Sequence, residues 1–210
     1  MNNHPGNKYF TLLSLIYLTI MVSSTSIAYK PVEIGSITAT AASLLFAFTF
    51  AISSIIAEVY GKERSMRLIN QIIPCGLLFT VIITLMIHLP SPTDWHHQAD
   101  YTYVFGDSFR FAFFGTIGCW IAYRINTFLI TKWKILTNGK YFPLRVIGAN
   151  TIGEFFLVLI TTFGAFYSVF PIHEVMSMFL FAYLSKILFA FLLSWPSAFV
   201  AVIIKRKELQ

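Results

Sequence analysis

The sequence predicts an all-α integral membrane protein, a bundle of six transmembrane helices with both termini in the cytoplasm. Three observations predict it. First, 57% of the 210 residues are hydrophobic, only 11% are charged, and the mean hydropathy is +0.72. Soluble domains carry about 25% charged residues, and one core of this size could not hide so much apolar surface. Second, six apolar runs approach the ~20 residues that cross a bilayer. Third, Lys and Arg are gathered in alternate links between those runs. The composition excludes disorder, coiled coil, collagen and a small disulfide scaffold. Cys75 and Cys119 both lie in apolar runs, so neither a disulfide framework nor a metal cluster is expected. The net charge of +6 reads as cytoplasmic loops in a lipid bilayer, not as a nucleic-acid surface.

The runs place spans at 10–28, 36–60, 68–89, 109–131, 145–170 and 175–204. Their links are short, so residues 1–210 read as one transmembrane domain. The first run could pass for a signal peptide, with Ser26-Ile27-Ala28 as its small-residue site. Only His4 and Lys8 precede it, and it exceeds the ~7–15 residues of a signal h-region, which favours an uncleaved helix. Glu58 falls in the last turn of span two, which Gly61 is expected to end. Lys62, Arg64 and Arg67 follow. Lys132, Lys134, Lys140 and Arg145 lie around the link after span four. Lys205, Arg206 and Lys207 close the chain. With Lys8, these make up 11 of the 15 basic residues, all on one side. The opposite side holds the acidic and aromatic stretch 91–108. The positive-inside rule therefore assigns both termini to the cytoplasm. His96 and His97, in that stretch, are poorly spaced for one metal site and read as a solvated loop.

Four ionisable residues fall in spans or at their edges: Glu58, Arg124, Glu154 and Lys186. Each costs about 2.5–3.5 kcal/mol at mid-bilayer unless it is paired, wetted or shallow, and such residues mark transport pathways by default. Arg124 and Glu154 lie at matching depths, about 12–13 Å from the cytoplasmic edge at 1.5 Å per residue. They are expected to pair across spans four and five, either as a site or as a pin between helices. Glu58 sits at the unfavourable end of a helix dipole and needs a cation. Lys62, Arg64 and Arg67 are the near candidates, and a carboxylate at the inner mouth of a pathway is the other reading. Lys186 is too deep to snorkel and needs an acid, carbonyls or water. Asn150 and Glu154 share a face, with Thr151 one step round, Asn126 near Arg124, and Trp120 one turn before Arg124. Amides and carboxylates beside an aromatic ring suit the edges and face of a small planar heterocycle. Asn and Thr also serve ordinary helix-to-helix hydrogen bonding.

No nucleotide fingerprint, zinc spacing or nucleophile elbow is present, and no acid–base or nucleophile constellation supports an enzyme. No resident cofactor is implied. The oligomeric state stays open, a homodimer included.

The stretch from Phe48 to Gly61 ends in Glu58-Val59-Tyr60-Gly61 and runs into the basic Lys62 to Arg67. It resembles the hallmark of the queuosine-precursor transporter family, also labelled vitamin uptake transporters. Ala28-Tyr29-Lys30 is similar to that family's first-helix end. Lys132 to Lys134 with Arg145, Thr151 and Gly153 is similar to its fifth-span entry, and Tyr183 to Lys186 with Pro196 to its last helix. The resemblance implies a six-span protein of the bacterial inner membrane that imports 7-cyano-7-deazaguanine or a related base for tRNA queuosine. The charged and polar residues within the spans are the candidates to line its substrate pathway: Glu58, Arg124, Asn126, Asn150, Thr151, Glu154 and Lys186. Two family Asp positions are Ser54 and Leu157 here, and a first-span Asn is replaced within Ser23 to Ser26. The alternative is the substrate-binding subunit of an energy-coupling-factor transporter, for which Ala39, Ala42 and Ser43 would offer a small-residue docking face on span two.

Overall fold

The apolar runs fold as long helices because a chain in lipid must satisfy its backbone polar groups internally. The computed structural model describes residues 8–27, 30–34, 37–105, 108–168 and 170–208. The elements are α1 (Lys8–Ser26), β1 (Pro31–Ile34), β2 (Ile37–Thr40), α2 (Ala41–Ile87), α3 (Gln98–Phe105), α4 (Ser108–Leu136), α5 (Phe142–Phe166) and α6 (Ile172–Glu208). Five of these helices are long and apolar enough to cross a membrane, and the protein is a helical membrane bundle. β1 and β2 pair antiparallel, with Val32 opposite Ala39. α2 packs against α1, α4 and α6, while α4 packs along α5 and α5 along α6.

Four expectations are corrected. The start expected for span two is partly strand, because Ile37–Thr40 completes the hairpin and the helix begins at Ala41. Ala39 therefore lies in β2, so it cannot share a helical docking face with Ala42 and Ser43. The basic stretch 62–67 is no loop. It is helical, and α2 continues through it after a single break at Gly61, whose φ of 83° and ψ of 176° are open only to glycine. No atom lies near the position a Gly61 Cβ would take, so backbone conformation and not space demands the glycine. The stretch 91–108 contains the short helix α3, which carries no buried residue. Ala28, Tyr29, Ser36 and Asp107, which figured in the expected span ends and links, lie outside the described residues.

Lipid gives no hydrophobic drive between helices, so close packing must hold them. Small residues permit it along α4 and α5. A Cβ on Gly153 would stand 3.1 Å from the Ala122 carbonyl and 3.2 Å from the Phe50 ring. One on Gly118 would stand 3.1 Å from Leu157 and 3.1 Å from the Thr161 hydroxyl. Ala122 and Ala149 are fully buried beside them. The core gathers Tyr17, Phe50, Ile56, Tyr123, Ile130 and Val146.

Candidate functional site

Polar side chains penetrate this apolar core at three levels along α5, set by Arg145, Asn150 and Glu154. At about 1.5 Å per residue these levels span about 13 Å of the helix axis.

The first level surrounds Glu58, which is 2% exposed. Arg145 Nη1 donates to its Oε2 at 2.8 Å, Lys205 Nζ to its Oε1 at 2.5 Å, and Lys134 Nζ stands 3.6 Å from Oε1. One carboxylate at the break in α2 thus ties together the ends of α4, α5 and α6. The break explains the third cation. The non-helical conformation at Gly61 interrupts the i to i+4 ladder, and Lys134 Nζ donates to the Glu58 carbonyl at 2.6 Å. Arg145 also donates to the carbonyls of Lys140 at 3.0 Å, Ile130 at 3.3 Å and Gly139 at 3.3 Å, so it fastens the α4–α5 turn as well. The sequence-near cations do not reach Glu58. Lys62 lies over the Phe128 ring at 5.0 Å, Arg64 over Tyr60 at 5.9 Å, and Arg67 stands 3.9 Å from Glu63.

The second level joins α2, α4 and α5. Ser54 Oγ donates to Asn150 Oδ1 at 3.1 Å, and Asn126 Nδ2 donates to Ser54 Oγ at 3.4 Å. All three residues are buried. Asn126 Oδ1 has no partner among the described residues. A buried amide oxygen left bare is costly, about 1–3 kcal/mol, so it points to a donor that belongs there. An aromatic wall adjoins it: the Phe50 and Tyr123 rings lie 4.4 Å apart, Tyr17 packs edge-on to Tyr123 at 5.5 Å, and the Tyr123 hydroxyl bonds to Thr49. The bare backbone of Gly153 lies between the Phe50 ring and Asn126.

The third level is an ion pair. Lys186 Nζ on α6 donates to Glu154 Oε2 on α5 at 2.8 Å, and lies over the Phe46 ring at 5.3 Å. Glu154 is 2% exposed and Lys186 9%. Thr151, one helix step round, is half-buried and receives the Tyr183 hydroxyl on its carbonyl at 3.3 Å.

Arg124 and Glu154, expected to pair, do not. Arg124 Nη1 donates to Asn70 Oδ1 at 3.2 Å, its guanidinium lies over the Trp120 ring at 4.7 Å, and Trp120 Nε1 donates to the same Asn70 oxygen at 3.3 Å. Five participants escaped the sequence reading. Arg145, Lys134 and Lys205 are all expected as orienting charges, Lys134 and Arg145 also as part of the resemblance at the fifth-span entry, and none as a partner of Glu58. Ser54 figures in the sequence only as the position of a family Asp, one turn before Glu58 on the same face, and nothing in the sequence singles out Tyr123. His97, in the outer stretch, pairs with Asp100 at 2.9 Å on an exposed surface.

No curated protein and no solved structure matches the chain. A family model does match, over residues 40–200, which include every level of the polar column except Lys205. That stretch is well over half of the sequence, and the chain belongs to the family described as "Putative vitamin uptake transporter".

Proposed function

We propose that the protein is a multi-pass carrier of the bacterial inner membrane, with both termini in the cytoplasm. It imports a queuosine precursor, 7-cyano-7-deazaguanine or a related 7-deazaguanine base, and moves it unchanged. The family supplies the class, a transporter for vitamin uptake. The observation that carries the substrate reading is the second polar level. Asn126 Oδ1 has no donor among the described residues, Asn150 and Ser54 stand beside it, and the Phe50 and Tyr123 rings, packed on one another 4.4 Å apart, would part to take a flat molecule against their faces. A fused heterocycle with an N–H and amino edge complements that set, because amides read its edge while rings cover its face. Glu154, Thr151 and Lys186 bound the site one turn further along α5, and the Glu58 cluster closes its other end. Arg124, held by Asn70 and Trp120, faces away from it.

The test is the queuosine content of tRNA. The host lacks its own precursor synthesis and its own importer, expresses this chain, and receives low external 7-cyano-7-deazaguanine. Queuosine reappears if the reading is right. If the protein is in the membrane and queuosine stays absent, the substrate is another heterocycle or a partner subunit is required.

A further inference from the structure

Two carboxylates are buried in the helices, and they are held in different ways. Glu58 meets three cations from three helices. For Glu154, Lys186 is the one charged partner among the described residues. An apolar pair of equal volume would hold α5 to α6 at least as well, so stability does not explain why this pair is ionic.

We propose that Glu154 and Lys186 form a proton-binding site, and that the protein carries a proton together with its substrate. The proposal rests on the carrier reading above. The geometry suits it in three respects. The carboxylate and the ammonium are on different helices, so any movement of α6 against α5 parts them and forces each to find a new partner. A proton arriving at Glu154 forms the O–H of a carboxylic acid and frees Lys186, whose ammonium keeps its three protons and already lies against the Phe46 ring. Releasing that proton restores the pair. Nothing nearby competes for it. Tyr17 from α1, Cys119 from α4 and Tyr183 from α6 are the titratable groups that interact with Glu154. A thiol and two phenols are uncharged near neutral pH. α2 faces the pair with Phe46. The next cation on α5, Arg145, is nine residues and about 13 Å away along the axis and is already bonded to Glu58.

The experiment uses the purified chain in liposomes, with 7-cyano-7-deazaguanine as the probe and the outside made one pH unit more acidic. One proton per neutral base supports about tenfold accumulation, since a pH unit is a factor of ten in driving force. In Glu154→Gln the ratio of accumulation with the gradient to accumulation without it should fall from about ten to about one. A second measurement needs no substrate. Acidification should produce a carboxylic-acid carbonyl band in the infrared spectrum of the wild type that Glu154→Gln lacks. In Lys186→Met the band should persist to higher pH, because the neighbouring positive charge that favours the ionised carboxyl is gone. Wild-type accumulation indifferent to the gradient overturns the proposal, as does a Glu154→Gln variant with the full response or a band unchanged in both variants. Failure of the wild type to move this base at all overturns the substrate reading instead, and the infrared titration then decides the proton site by itself.

Discussion

Replacing Glu58 by Ala tests the claim that one carboxylate fastens four helices. The side chains of Lys134 and Lys205 are 35% and 40% exposed, so both can turn to water when Glu58 is gone. The Arg145 side chain is 3% exposed and cannot. The cost is therefore that of one buried guanidinium without its counter-ion, about 3–5 kcal/mol for a broken buried pair. Three backbone carbonyls still receive Arg145, which favours the lower end. At about 2–4 °C per kcal/mol for a chain of this size, 3 kcal/mol lowers the melting temperature by about 6–12 °C. Tryptophan fluorescence in detergent during a thermal ramp reads it. Adding Arg145→Met to Glu58→Ala should restore part of the loss, because it removes the stranded charge but also its bonds to the Lys140, Ile130 and Gly139 carbonyls. A single variant within about 2 °C of wild type, under 1 kcal/mol at that scaling, refutes the reasoning, and so does a double variant no better than the single one.

Asn126→Leu removes the bare amide oxygen, so it should leave stability unchanged or raise it by about 1 kcal/mol while abolishing precursor uptake, a combination read by thermal melting and tRNA queuosine. Gly153→Val should lower both, because its side chain meets the Ala122 carbonyl and the Phe50 ring, and loss of uptake without loss of thermal stability would contradict the packing account. Arg124→Gln should cost under about 1 kcal/mol and leave uptake within about twofold, since its hydrogen bond to Asn70 is exposed. Gly61→Ala should cost about 1–3 kcal/mol by melting, since only glycine tolerates that backbone conformation without strain.

The membrane bundle was legible because the need for long apolar runs is one-dimensional. The break at Gly61 was legible for the same reason, as a glycine after an apolar run. Pairing was not, because it depends on direction around each helix. Arg124 and Glu154 match in depth, but depth fixes only one coordinate. Asn126 is buried against Ser54, and residues two apart on a helix point about 200° apart, so Arg124 must face away from that interface. Glu58 shows the same limit. Arg64 and Arg67 are near it in sequence but lie beyond the break, whereas Arg145 arrives from a different helix at hydrogen-bond distance. The hairpin at Pro31–Thr40 was missed because its second strand, Ile37 to Thr40, is apolar enough to extend a helical run.

Lys134, Arg145 and Lys205 come from the ends of α4, α5 and α6. They meet on one carboxylate. A chain in which one helix end is threaded to the wrong side of the bilayer cannot bring its cation to Glu58, and it keeps a buried acid without its full set of partners. The cluster acts as a checksum on the assembly of α2, α4, α5 and α6, complete only when all four helix ends have arrived at the same end of the bundle.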